Sequence, residues 1–279
     1  GMDSEKLADA LFTMREQVKL HSLLVVRHGE AVVDAYFYPY DGNSPHDMSS
    51  VTKSVMTTLI GIAVDKGQLK LAQPVLSFFP DATLANRSAD MDKITVRHLA
   101  MMASGLQSMG FAQDEGTLTQ MENSDNWVQF ALDRPVVIEP GAQFVYDSPG
   151  IHLLSAILQK ATGMTALEFA RQNLFEPLGI GEVIWPADPQ GVTQGFTNIV
   201  LHPRDAAKIG YLFLNQGRWD GKQIVSQKWV EEATRRQIDA DDDKGYGYGW
   251  WIAPEENGEY YAEGRGGEYI RMLPAYDVI

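Results

Sequence analysis

The chain has 279 residues, of which 44% are hydrophobic, and a formal net charge of -14. This length and apolar content suffice for one large domain or two closely joined ones, and the negative charge disfavours nucleic acid and anionic membrane surfaces as partners. The chain contains no cysteine, which excludes disulfides, thiolate catalysis and cysteine-based zinc sites.

The sequence shows neither a membrane span nor an export signal. It has no run of about 18 apolar residues, so we predict no membrane-spanning helix. The stretch from Gly1 to Lys6 lacks the basic and apolar regions of a signal peptide. A signal upstream of Gly1 could have been removed, which would allow an extracytoplasmic location, so the sequence leaves the compartment open.

The first third of the chain mixes helix and strand patterns. Apolar residues at helical spacing predict a helix over about residues 3–19. Two β-rich runs, 22–27 and 30–37, flank His28-Gly29 and are typical of a hairpin. A further helix begins where polar residues give way to an apolar run near Ser50 and ends near Lys66-Gly67.

The rest of the chain changes character twice. From about Leu71 to Leu201, helices separated by proline and glycine are predicted at 94–102, 126–132, 152–162 and 166–174. Two more helices, 203–214 and 226–235, precede three strand-like runs at 248–252, 260–262 and 269–273.

Strand patterns at both ends of the chain predict one antiparallel sheet assembled from the two ends. We therefore predict an α/β protein of the α+β type that forms one catalytic unit over 1–279. Its sheet subdomain would comprise about 1–70 plus 203–279, and a helical subdomain of about 71–202 would be inserted between them.

Ser50 and Lys53 are the first candidate catalytic pair. They lie three residues apart in the first turn of a helix, so both side chains project from one face. A serine hydroxyl needs a neighbouring base, and an amine at the positive end of a helix dipole is favoured in its neutral, basic form. A Ser-x-x-Lys motif is expected about once by chance in a chain of this length, so a capped helix with a surface lysine is an equal alternative for this motif alone.

Two further stretches carry chemical groups. Tyr146 and Ser148 lie two apart in a predicted loop, where both could face one cavity and a phenol could relay a proton to a leaving group. Before the last strand, Gly266 and Gly267 permit close approach of the backbone to a ligand, and Arg265 offers a bidentate fork for a carboxylate. Taken singly, a tyrosine-containing loop and a glycine hairpin turn are the more frequent explanations.

The order Ser-x-x-Lys, Tyr-x-Ser, Arg-Gly-Gly resembles the three signatures of the β-lactamase and penicillin-binding superfamily, which are Ser-x-x-Lys, Tyr-x-Asn and Lys-Thr-Gly or His/Trp-x-Gly. The connecting phrases 46–54, 99–106 and 175–180 extend the resemblance over the chain. It is most similar to the class C β-lactamase-related serine hydrolases, which include family VIII carboxylesterases, D-aminopeptidases and 6-aminohexanoate-oligomer hydrolases. The resemblance implies a β-lactamase/transpeptidase-like fold with a cleft between sheet and helices.

The resemblance also implies roles for residues. Ser50 would be the acylated nucleophile, Lys53 its proton acceptor and Tyr146 the group that passes the proton to the leaving group and activates the deacylating water. The N–H groups of Ser50 and Glu268 would form the oxyanion hole. The substrate would be a small ester, amide or β-lactam, with no cofactor and no metal.

The chain departs from the family pattern at three places. Ser148 replaces the usual asparagine, and Arg265 replaces lysine, histidine or tryptophan, which favours ester or amide hydrolysis over cephalosporin hydrolysis. The sequence stops at Ile279, where family members continue with further strand and a C-terminal helix, so we expect either a fragment or a chain without that helix. The alternative function is a penicillin- or peptide-binding protein with little or no turnover.

Other catalytic classes lack their motifs, and the sequence leaves the natural substrate and the oligomeric state open. There is no Gly-x-Ser-x-Gly, His-Glu-x-x-His or phosphate-binding Gly-Lys-Ser/Thr sequence. His46, four residues before Ser50, is expected to hydrogen-bond the loop that presents the serine rather than to act as its base.

Overall fold

The computed structural model describes residues 3–108, 114–241, 243–254 and 257–279. The helices in these ranges are α1 (Ser4–Gln17), α2 (Val51–Asp65), α3 (Val96–Ala100), α4 (Asp114–Glu122), α5 (Trp127–Asp133), α6 (Ser148–Thr162), α7 (Ala166–Ala170), α8 (Pro203–Leu214) and α9 (Gln227–Ala233). The strands are β1 (Ser22–Arg27), β2 (Glu30–Tyr36), β3 (His46–Asp47), β4 (Val200–Leu201), β5 (Arg218–Trp219), β6 (Lys222–Gln223), β7 (Ile238–Asp239), β8 (Gly245–Tyr246), β9 (Trp251–Ile252), β10 (Tyr260–Glu263) and β11 (Tyr269–Met272). Short 3-10 helices at Val75–Phe78, Met91–Lys93 and Pro274–Tyr276 and a π-helix at Arg171–Phe175 complete the described elements.

The two ends of the chain come together, as the strand pattern predicts. Strands β7 to β11 form a five-stranded sheet in the order β11-β10-β9-β8-β7, in which each neighbouring pair is antiparallel. The hairpin β1–β2 is linked to this sheet by the last residues of the chain. Val26 and Ile279 exchange two backbone hydrogen bonds of 2.9 Å, and Val278 bridges both Arg27 and Leu273. The result is a mixed helix and sheet fold with antiparallel sheets, although the ladder is not continuous between hairpin and sheet.

Helix α2 lies at the centre of the core. All residues from Val51 to Ala63 are buried, because most are apolar and the hydroxyl and amine groups among them are hydrogen-bonded to backbone carbonyls. The indole of Trp229 packs directly on Gly61, where an added Cβ would lie 2.4 Å from the ring. This central position fixes the start of α2, and with it the first turn that carries the candidate nucleophile.

The predicted strand 248–252 is wrong in its first half. Only Trp251–Ile252 forms a strand, since the preceding carbonyls bond to α2 instead of to a neighbouring strand. Ser54 Oγ donates to the Gly249 carbonyl at 2.5 Å and Thr57 Oγ1 donates to the Tyr248 carbonyl at 2.9 Å. These hydroxyl contacts satisfy buried polar groups of α2 and tie the helix to the sheet.

Helix α6 begins at Ser148, four residues before the predicted start at His152, so Ser148 lies in a helix and not in a loop. The Pro149-Gly150 pair gives a loop signal in the sequence, yet proline is well tolerated in the first turn of a helix. Gly150 is required there because a Cβ would lie 2.4 Å from Asp147 Oδ2. The division into a sheet subdomain and a helical subdomain stays a prediction.

Candidate active site

Ser50 and Lys53 meet at the start of α2. Ser50 is the N-cap residue, and Lys53 in the first turn is only 2% exposed. Lys53 Nζ lies 2.7 Å from Ser50 Oγ and donates a second hydrogen bond of 2.9 Å to the backbone carbonyl of Phe196. The structure therefore pairs a partly exposed hydroxyl with a buried amine whose second partner comes from a distant loop.

The loop before Ser50 is held in a strained conformation. Ser49 has a φ of 44°, in the left-handed region where a non-glycine residue costs of order 1 kcal/mol. Its N–H donates to Asp47 Oδ1 at 2.8 Å, and its carbonyl accepts from Thr52 Oγ1 at 2.6 Å. Pairing of β3 with β4 and a hydrogen bond from Met48 N–H to the Ile199 carbonyl anchor the same loop.

Tyr146 forms part of the wall around the amine. Its side chain is 7% exposed, and Lys53 Nζ lies 4.9 Å from the ring centroid. The ring stacks on Trp251 at 6.3 Å between centroids with an interplanar angle of 10°. The phenol ring, the amine and Ser50 thus belong to one constellation, as the motif order predicts.

A buried ion pair holds the Tyr146–Ser148 segment in place. Asp147 accepts two hydrogen bonds from Arg134, of 2.6 and 3.0 Å, and both side chains are nearly inaccessible to solvent. Ser108 Oγ also donates to the Tyr146 carbonyl at 3.1 Å. Ser148 itself is 3% exposed, and within the described ranges no hydrogen bond links it to Ser50 or Lys53.

The turn from Gly264 to Glu268 lies beside the loop that presents Ser50. An added Cβ at Gly264 would lie 2.9 Å from the Met48 carbonyl, so the two backbones are in direct contact. The turn is closed by its own bonds, from Gly264 N–H to the Glu268 carbonyl at 2.7 Å and from Gly267 N–H to the Gly264 carbonyl at 3.1 Å. The structure therefore brings the third predicted motif next to the first.

The exposed part of this turn is polar. Arg265, Gly266 and Gly267 are exposed, and the Glu268 carboxylate folds back to accept a hydrogen bond of 2.9 Å from Gly266 N–H. Among the residues that the structure describes, the N–H groups of Ser50 and Glu268 donate to no protein acceptor. Both donors remain available to a ligand, as an oxyanion hole requires.

His46 does not make the hydrogen bond that the sequence predicts. Its Nε2 is buried without a partner in the described part of the chain, while its ring packs against His21 at 5.3 Å and Tyr40 at 5.2 Å between centroids. Burial and the nearby His21 lower the pKa of His46, and the Glu268 carboxylate opposes this effect. The predicted hydrogen bond to the Ser50 loop is therefore replaced by ring packing against His21 and Tyr40.

The sequence did not indicate three polar groups in the region of Ser50 and Lys53. They are the Phe196 carbonyl, the Arg134–Asp147 ion pair and a fully buried contact between His152 and Asp188. A backbone carbonyl leaves no signal in the sequence.

Within the described ranges no cluster of histidine and acidic residues could hold a metal, and no described helix has the length and apolarity needed to cross a membrane.

The chain matches a known protein family and several curated proteins. The Beta-lactamase family model matches residues 13–279. A 6-aminohexanoate-dimer hydrolase of Paenarthrobacter ureafaciens is 24% identical over 95% of this chain and 72% of its own length. The next curated relatives match over only 54% and 39% of their own lengths.

Two solved structures share the fold. The octameric penicillin-binding protein homologue from Pyrococcus abyssi superposes with a TM-score of 0.79 at 25% identity, over 99% of this chain and 72% of that one. A family VIII carboxylesterase superposes with a TM-score of 0.77 at 16% identity, over 98% of this chain and 89% of that one. The predicted β-lactamase/transpeptidase-like fold is confirmed.

Proposed function

The chain belongs to the beta-lactamase family, and we propose that it is a serine hydrolase of the class C-related type that cleaves an ester or amide bond through an acyl-enzyme on Ser50. The observation that carries the proposal is the 2.7 Å contact between Lys53 Nζ and Ser50 Oγ at the start of a buried helix. Relatives named as a dimer hydrolase and a carboxylesterase support hydrolytic activity.

In the acylation step, Ser50 Oγ attacks the substrate carbonyl carbon while Lys53 takes the hydroxyl proton. A C–O bond forms, and the carbonyl π electrons move to oxygen. The N–H groups of Ser50 and Glu268 donate to this oxyanion, and the positive end of α2 stabilises the same charge. The bond to the leaving group then breaks, and Tyr146 passes the proton from Lys53 to the departing oxygen or nitrogen.

In the deacylation step, a water molecule attacks the carbonyl carbon of the acyl-enzyme. Lys53, neutral again after acylation, takes its proton through the Tyr146 phenol, and the same N–H groups hold the second oxyanion. The bond to Ser50 Oγ then breaks as Lys53 returns that proton to the serine. The products are a carboxylic acid and the alcohol or amine released in the first step.

The substrate that we propose is a small acyl ester or amide. Ser148 is buried at the start of α6 and is shorter than the asparagine of the family signature, which reduces contact with a β-lactam amide. Arg265 is exposed and carries a planar cation in place of the usual residue of the third signature. Steady-state kinetics with a short-chain p-nitrophenyl ester and with nitrocefin would compare these classes, and a higher kcat/KM for nitrocefin would overturn this substrate assignment.

The decisive experiment is intact-protein mass spectrometry after incubation with a fluorophosphonate and, separately, with benzylpenicillin, with Ser50→Ala as control. We expect one fluorophosphonate adduct that is absent from the variant. A penicillin adduct that persists without ester turnover would favour the alternative, a penicillin- or peptide-binding protein. Absence of any adduct would overturn the serine hydrolase proposal.

A further inference from the structure

We propose that His152 and Asp188 are positioning residues that fix the Phe196 carbonyl on Lys53 Nζ and thereby orient the base toward Ser50. The inference rests on the proposed function and adds two residues to it. Neither residue contacts Ser50 or Lys53 among the described hydrogen bonds, so any effect on the reaction passes through the loop that carries Phe196.

The two side chains form a buried polar contact in the core. Both are fully buried, and His152 Nε2 lies 2.9 Å from Asp188 Oδ2. The imidazole is packed edge-on against the rings of Phe196, at 5.8 Å and 86°, and Trp127, at 5.6 Å and 64°. Its Nδ1 has no hydrogen-bond partner within the described residues, so the contact with Asp188 is the polar interaction that orients the ring.

Asp188 also closes the loop that leads to Phe196. Its Oδ1 accepts from Gln190 N–H at 2.9 Å and from Val192 N–H at 2.8 Å, and its own N–H donates to the Val192 carbonyl at 2.8 Å. Burial alone would raise the pKa of Asp188, but the hydrogen bond from His152 and those from the loop N–H groups bring it below its ordinary value. The carboxylate is therefore the centre of the loop's hydrogen bonding.

Helix α6 holds this loop at two points one turn apart. His152 contacts Asp188, and Ser155 Oγ donates to the Thr193 carbonyl at 2.6 Å. Phe196 follows three residues later and directs its carbonyl to Lys53 Nζ at 2.9 Å. Phe196 lies three residues beyond Thr193, and its ring packs against the His152 imidazole, so we expect a shift of His152 or Asp188 to displace the carbonyl.

The same helix starts at Ser148, two residues after Tyr146, whose ring centroid lies 4.9 Å from Lys53 Nζ. The contact between His152 and Asp188 therefore keeps two neighbours of the amine, the phenol ring and the Phe196 carbonyl, in a fixed relation. A misplacement of about 1 Å in a reacting group can lower a rate about 100-fold. A core contact without this role would change stability alone.

The test uses two substitutions of one residue. His152→Leu removes the donor, whereas His152→Gln keeps an N–H group near the position of Nε2. We expect His152→Leu to lower kcat for a p-nitrophenyl ester by roughly 10- to 100-fold with KM changed less than about twofold, and to slow fluorophosphonate labelling of Ser50 by a similar factor. His152→Gln should restore both rates to within about fivefold of wild type.

Ile157→Val serves as the control because Ile157 is buried on the same helix and the substitution leaves a small cavity. It should lower the melting temperature without changing kcat. Wild-type labelling and kcat in a folded His152→Leu, or an equal loss of kcat in Ile157→Val, would overturn the positioning role and leave the Ser50 proposal intact. Absence of labelling in the wild type would overturn both.

If His152→Leu does not fold, Asp188→Asn gives the same test with an isosteric side chain. The carboxamide weakens the contact with His152 but keeps the shape of the site. It should lower kcat and the labelling rate in the same proportion while KM is unchanged. Wild-type values of both rates in this variant would overturn the proposal.

Discussion

The first turn of α2 and the turn from Gly264 to Glu268 meet near Ser50, and they differ in burial and in the contacts that hold them. The first turn of α2 is buried, and Lys53, at 2% exposure, is hydrogen-bonded both to Ser50 and to the distant Phe196 carbonyl. The turn from Gly264 to Glu268 is exposed at Arg265 and closed by its own backbone bonds. Interactions from several elements fix the geometry of the first region, whereas backbone hydrogen bonds within the turn and its contact with the Met48 carbonyl hold the second.

We therefore expect the buried first turn of α2 to determine the reaction chemistry and the exposed turn to affect which substrate binds. A change in the buried region disturbs several hydrogen bonds at once, so the residues there are constrained by each other. A change in an exposed turn alters the charge or shape presented to a ligand at little cost in stability. The chain keeps Ser50 and Lys53 of the first motif in the buried region, and it departs from the family pattern both at Arg265 in the exposed turn and at the buried Ser148.

The largest effect is expected at Lys53. Lys53→Met keeps the side-chain length but removes the proposed proton acceptor, so kcat should fall by at least about 1,000-fold. Initial rates with a p-nitrophenyl ester measure the loss. Lys160→Met, at an exposed lysine of α6, is the matched control and should leave kcat unchanged. Retention of more than a tenth of the activity by Lys53→Met would show that this amine is not the base.

The second-largest effect is expected at Arg134, whose buried ion pair with Asp147 lies next to Tyr146 in the sequence. Arg134→Met removes one partner of a buried ion pair and leaves Asp147 as an unpaired buried carboxylate, which should lower the free energy of unfolding by about 3 kcal/mol. Urea denaturation gives the value. Arg87→Met breaks an exposed pair with Asp92 and should change stability by less than about 0.5 kcal/mol. Equal losses in both variants would contradict the distinction between buried and exposed contacts.

The third-largest effect is expected at Gly264, where the exposed turn contacts the loop that presents Ser50. Gly264→Ala places a Cβ 2.4 Å from Glu268 Oε2 and 2.9 Å from the Met48 carbonyl, so the turn must move away from the Ser50 loop. We expect kcat/KM to fall about tenfold as the Glu268 N–H shifts. Gly181→Ala, at a glycine whose Cβ would meet no atom within 4 Å, should leave it unchanged. Unchanged kinetics in Gly264→Ala would mean that this turn does not contribute to the oxyanion hole.

The sequence predicted best what depends on local pattern. The helix over 203–214 has the predicted bounds, and the three-residue spacing of Ser50 and Lys53 does give a direct contact. Both follow from helix periodicity and from a proline at the helix start. The antiparallel arrangement of the two chain ends also followed from where the strand patterns lie.

What could not be predicted depends on contacts between side chains and backbone carbonyls that are distant in the sequence. The Phe196 carbonyl reaches Lys53 across 143 positions of sequence, and a carbonyl is present at every residue. The strand expected at 248–252 is shortened because Ser54 and Thr57 take its carbonyls. In both places the outcome depends on a hydrogen bond between residues far apart in the sequence. Local sequence patterns do not indicate which residues form such a bond.

A smaller effect is expected at the exposed turn itself. Arg265→Ala removes a cation from the edge of the site, so KM for an ester that bears a carboxylate should rise about fivefold, while KM for a neutral ester stays the same. The free energy of unfolding should change by less than about 0.5 kcal/mol because the residue is exposed. An equal rise in KM for both esters would contradict a role in substrate charge selection.

The smallest effect concerns His46, on strand β3, which leads directly into the Ser50 loop. Its pKa is lowered from 6.5 by burial and by the nearby His21 and His202, against the opposing influence of Glu268. The folded protein therefore binds a proton at His46 less readily than the unfolded chain, so His46 contributes stability above about pH 6.5 that is lost as the pH falls through the lowered pKa. His46→Phe keeps an aromatic ring beside His21 and Tyr40 but cannot titrate. Urea denaturation at pH 7.5 and pH 5.5 should show a smaller loss of stability in the variant than in the wild type, and since the lowered pKa of His98 is common to both proteins, the difference isolates His46. An equal loss in both proteins would mean that protonation beside the Ser50 loop is not linked to folding.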